Sequence, residues 1–173
     1  MRSKEKIITG ALTLAAAGAL VVGLDQAATA APVPAKAPAA CKASQVALTV
    51  GQIDAGAGQR YAPLQFTVNG STKCTLTGFI SNAQFIARDG SALPTNASTW
   101  DDTKAAVVLS AGHGAEVVLH WTGVPADDEG INQAAPAYLK FRIPGDNSDL
   151  TVGWPNSATF QHGWLSYGAV HAA

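Results

Sequence analysis

Histidine supplies most of the acid–base and metal chemistry available near neutral pH, and this chain has four: His113, His120, His162 and His171. No two stand at H-x-H, H-x-x-x-H or H-E-x-x-H spacing. A zinc or copper site needs three or four converging ligands, so the histidines read as exposed polar residues and no metal or other cofactor is expected. After Met1 the chain has no methionine, which removes the thioether ligand of a typical copper carrier. The G-x-S-x-G turn of a serine hydrolase is absent, and neither Ser110 nor Ser166 has a sequence context that implies a base. No catalytic residues are expected.

Carboxylates are the other reactive resource. Asp101-Asp102 and Asp127-Asp128-Glu129 lie in two long polar stretches, 93–104 and 123–136. If those stretches share one end of the fold, they could hold calcium through carboxylate oxygens. They also offer paired carboxylates for glycoside hydrolysis, though nothing in the sequence indicates the separation which that reaction needs. Neither run matches an EF-hand, and acidic loop runs are ordinarily just solvated.

Aromatic side chains suggest binding instead. Tyr61, Trp100, Tyr138, Trp154, Trp164 and Tyr167 form the set of interest, because exposed rings on a rigid face can stack sugars or anchor partners. Trp121 is in phase with Val117 and Leu119, and Trp154 with Val152, so both are assigned to the core. Trp100 and Trp164 sit in polar context and are the candidates for exposed binding residues.

The elements that must position these groups are short strands. Val46, Leu48 and Val50 alternate with Ala47 and Thr49, the period of a half-buried strand. Leu64, Phe66 and Val68 do the same, with Pro63 expected at a strand start or edge. Asn69-Gly70-Ser71 supplies turn chemistry, and Cys74-Thr75-Leu76 reads as the return arm of a hairpin. Phe79-Ile80 and Phe85-Ile86-Ala87 follow, ended by an Asp89-Gly90 turn. The 93–104 stretch is expected to be loop. Strands are then expected over 105–109, 116–121, 139–143 and 150–154, with Leu165, Tyr167 and Ala169 in a closing edge strand. About eight strands and no amphipathic helix in the body of the chain predict an all-β fold. The expected form is a two-sheet antiparallel sandwich with an Ig-like Greek key.

The beginning of the chain has the parts of a secretory signal. Arg2, Lys4 and Lys6 precede the apolar run 7–24, and Ala28-Thr29-Ala30 offers an A-x-A cleavage site. Residues 1–30 are therefore read as a signal peptide, 31–40 as a Pro/Ala linker of extended, disordered character, and 41–173 as one domain. Cleavage leaves a secreted protein with no stable membrane insertion. In that oxidising setting the two cysteines, Cys41 and Cys74, read as a disulfide. The leader removes three basic and two acidic residues, leaving eight against ten and a net charge of −2 with no basic run. Such a balance argues against nucleic acid and anionic membrane as partners.

Three segments carry a family resemblance. They are Cys41; Leu64-x-Phe66-x-x-Asn69-x-Ser71-x-x-Cys74-x-Leu76-x-Gly78-Phe79; and Val107-x-Leu109-x-x-Gly112-x-x-Ala115-x-Val117-x-Leu119-x-Trp121. From Cys41 to Ile143 the chain resembles the exported β-sandwich of actinobacteria known as domain of unknown function 4232. The resemblance implies a small exported or lipid-anchored protein and brings no catalytic residues with it. A second cysteine pair common in that family is absent here, and Ile80-Ser81 stands where Pro-Gly is common. The expected role is a non-catalytic module for an unknown extracellular or cell-wall partner. A calcium-binding or hydrolytic site in the acidic loops, or a purely structural envelope protein, are the alternatives.

Overall fold

The computed structural model describes residues 36–100, 103–130 and 134–173. The signal peptide reading, the first half of the linker (31–35), and Asp101 and Asp102 fall outside the described residues.

Every extended element is a strand, and among the described residues the only helical piece is one 3-10 turn, Ala43–Gln45. Twelve strands follow: β1 Val46–Val50, β2 Asp54–Gly56, β3 Gln59–Val68, β4 Cys74–Thr77, β5 Ser81–Ile86 and β6 Asn96–Thr99. Then come β7 Ala106–Leu109, β8 Ala115–Thr122, β9 Tyr138–Arg142, β10 Leu150–Gly153, β11 Trp164–Tyr167 and β12 His171–Ala172. The largest sheet runs β1-β3-β8-β11-β6, with β2 on β3 and β12 on β8. A three-stranded sheet, β10-β9-β5, and the pair β4-β7 complete the sandwich-like arrangement. All pairings of named strands are antiparallel except β6 with β11.

The period-2 reading succeeds where one face is buried. Leu64 and Phe66 on β3 and Val117, Leu119 and Trp121 on β8 are fully buried, as are Leu139 and Phe141 on β9. The layers meet through rings: Phe66 and Phe141 edge-to-face at 6.2 Å, and Trp121 and Trp154 tilted at 4.7 Å. Trp121 and Trp154 are core residues, as their phase requires.

The Cys41–Cys74 disulfide is formed, with Cα atoms 4.8 Å apart. Upstream of it the backbone is already paired: Thr75 N–H donates to Ala39 O, Cys41 N–H donates to Thr75 O, and Ala40 bridges Thr75 in parallel. Pro38–Ala40 therefore lies along the β4 edge.

Four expectations are corrected. The 60–80 segment is not a hairpin, because β3 has β1 and β2 along one edge and β8 along the other and has no edge left for β4. The Asn69-Gly70-Ser71 turn is a corner that carries the chain to the β4-β7 pair. Pro63 lies inside β3, between its β1-paired and β2-paired parts. There Gly51 donates to Pro63 O, and the imide nitrogen interrupts no ladder. The 93–104 stretch contains β6, whose four residues are all exposed and so carry no apolar alternation. Finally, β11 is interior, between β8 and β6, with Leu165, Ser166 and Tyr167 buried.

Candidate functional site

Side chains alternate across a strand, so the residues of the large sheet between the buried ones share its outer face. Direct pairings run across five strands: Asp54 opposite Tyr61, Tyr61 opposite His120, His120 opposite Ser166, and Ser166 opposite Ser98. One register step along lie Gln59 opposite Thr122 and Trp164 opposite Asn96.

His120 is the centre of this face. Tyr61 stacks on its imidazole with centroids 4.2 Å apart and planes 9° from parallel. Trp164 meets the ring edge-on at 4.8 Å, and Trp100 at 5.9 Å. Nε2 of His120 is 2.7 Å from Gln59 Oε1, and Nδ1 is 3.4 Å from Ser166 Oγ. The short Gln59 contact makes Nε2 the protonated donor, which leaves Nδ1 to accept from the serine. Burial holds His120 below the ordinary imidazole pKa.

Trp100 is placed by β6 and by a missing side chain. Its N–H donates to Tyr167 O at 3.4 Å, continuing the β6–β11 pairing. The indole lies over Gly168, where an added Cβ would sit 3.4 Å from Cζ2 and 3.5 Å from Nε1. Trp100 is 48% exposed and Tyr61 39%, while Trp164 is half-buried. The two sequence candidates thus lie on one face, but the sequence missed Tyr61 and His120 as their partners. The alternation that put His120 opposite the Trp121 set was the available signal, and the cross-strand register that adds Tyr61 was not.

The Ser166–His120 contact resembles half of a hydrolase triad. Ser166 is 5% exposed, and the group on the far ring nitrogen is the Gln59 amide, which has no charge to stabilise an imidazolium.

The acidic residues of the second loop serve differently. Glu129 caps backbone: its carboxylate accepts from the N–H groups of Ala126, Gln161 and His162. These bonds hold its pKa below the usual carboxylate value and support Gln161 and His162 in left-handed backbone, at φ 54° and 56°. Asp128 and His162 form a surface contact at 3.4 Å, and Asp127 is exposed. The two long stretches do approach each other, since Leu93, Pro94, Asp128, Glu129 and His162 line one shallow cavity of about 320 Å³. Among the described residues no group of three His, Cys, Asp or Glu side chains is placed to hold a metal ion. His171 contacts Glu116 Oε1 at 3.1 Å, and Ser110 and His113 close a turn through their backbones.

Fold and site together define a disulfide-tied β-sandwich module with an aromatic outer face. The chain belongs to the family described as domain of unknown function DUF4232, whose model matches residues 41–171. The match carries the family resemblance through the C-terminal strands, beyond Ile143. No curated protein and no solved structure matches the chain.

Proposed function

We propose that this protein is an exported, non-catalytic binding module that recognises a cell-envelope or extracellular partner through the outer face of its large sheet. The observation that carries the reading is the gathering of Tyr61, Trp100 and Trp164 around one imidazole on a sheet already packed on its other side. Rigid aromatics supply contact area at little entropic cost, and they are the residues in which binding energy concentrates. The leader pattern and the disulfide support export. The buried Ser166 and the uncharged Gln59 support binding over hydrolysis.

The test is affinity capture from cell-wall material and secreted protein, using the oxidised protein and the Tyr61→Ala/Trp100→Ala variant. Wild type should retain a component that the variant loses at an unchanged melting temperature. Empty capture by wild type from both sources sinks the reading.

A further inference from the structure

We infer that the outer face of the large sheet is a saccharide platform, taking a neutral glycan whose sugar rings stack on Trp100 and Tyr61. The inference rests on the binding reading above and names the chemical class of its ligand. The platform is built from Gln59 and Tyr61 on β3, His120 on β8, Trp164 on β11 and Asn96 on β6, with Trp100 just beyond, and Asp54 of β2 lies at its edge opposite Tyr61.

Along this face of the described strands the charged side chains are the carboxylates Asp54 and Glu116, toward its margins, and none is Lys or Arg. A nucleic acid or an anionic lipid headgroup needs cationic side chains, and among the described residues this face has neither Lys nor Arg. A neutral polyol needs ring faces for its C–H groups and uncharged hydrogen-bonding groups for its hydroxyls, and both are present. The two most exposed rings, Trp100 and Tyr61, lie on opposite sides of His120, and the exposed Asn96 and Ser98 side chains flank them on β6. The rings are pre-set: Tyr61 is held by its stack on His120, and Trp100 rests against Gly168. Pre-set rings lose little freedom when a ligand arrives. The face has no enclosing walls, which suits an extended chain of sugars better than a single buried one.

The experiment is titration calorimetry, with tryptophan fluorescence in parallel, on the full oxidised chain. The probes are cellohexaose, chitohexaose, mannohexaose and a soluble arabinogalactan. At least one should bind, and Trp100→Ala and Tyr61→Ala should each weaken it by about tenfold or more. Tyr138→Ala, an exposed aromatic on the three-stranded sheet, should leave binding unchanged. No heat and no fluorescence change with any probe at 10 mM (roughly the weakest useful affinity) overturns the inference. So does binding that survives both platform substitutions. If envelope capture succeeds while every saccharide fails, the binding reading stands and the glycan assignment falls.

Discussion

Tyr61 and His120 stand directly opposite each other on β3 and β8, and their rings are stacked at 4.2 Å. Among the described residues the bonded and stacked neighbours of the imidazole are Gln59 and Tyr61 on β3, Trp164 and Ser166 on β11, and Trp100, none of them a carboxylate or an ammonium. The stack is therefore built for the neutral ring.

That arrangement has a pH dependence. The folded pKa of His120 is depressed, so the unfolded chain takes up the proton first. Its contribution to stability is complete above the unfolded value of about 6.5 and declines as pH falls toward the folded one. Thermal melts of wild type should lose stability below that pH more than those of His120→Gln, which lacks the titration. Equal slopes would rule this out.

Gly168 separates space from backbone strain, since its φ is not in the left-handed region. Gly168→Ala places its Cβ at ordinary contact distance from Trp100 and should be tolerated. Gly168→Val adds atoms where the indole lies and should displace it. The readout is a shifted tryptophan emission and near-ultraviolet dichroism in the valine variant alone.

Gly163 is a harder constraint. Its φ is +73°, and a Cβ there would run into the Pro94 carbonyl. Left-handed strain and overpacking together predict a cost of roughly 2 to 5 kcal/mol for Gly163→Ala, measured by denaturant unfolding. Wild-type stability in that variant would refute the close approach of 94 and 163.

The disulfide closes a separation of 33 residues. In the chain-entropy model that contributes about 3.5 to 4 kcal/mol. Reduction, or Cys41→Ala with Cys74→Ala, should lower the unfolding free energy by about that amount while the far-ultraviolet spectrum stays β-rich. Both sulfurs are buried, so reduction should be slow without denaturant.

Asp146 ties the start of the domain to the β9–β10 turn. Its carboxylate accepts the Ala43 N–H at 2.8 Å and the Ser148 N–H at 2.9 Å, and these bonds pull its pKa to about 2. Its stabilisation is complete above the ordinary aspartate value of 3.8 and disappears as pH falls toward about 2. Asp146→Asn should reduce stability at neutral pH and flatten the acid limb. A variant with an unchanged acid limb would show that other carboxylates dominate there.

Alternation, turn residues and a single cysteine pair were enough to determine the all-β class, most strands, the disulfide and the core assignment of Trp121 and Trp154. These are local signals: a strand that buries one face must write period 2 into its sequence. β6 escaped because an exposed strand has no such obligation, and its partner β11 lies more than sixty residues away. The false hairpin at 69–71 arose because turn chemistry reports that the chain reverses, not which edge receives it. The site divided in the same way. Polar context marked Trp100 and Trp164, and periodicity put His120 on the face opposite the core. Only the register of β3, β8, β11 and β6 decided that Tyr61 would stack on His120 and that Trp100 would come to rest over Gly168. Register is a long-range property, set by how four strands from distant parts of the chain share one buried face.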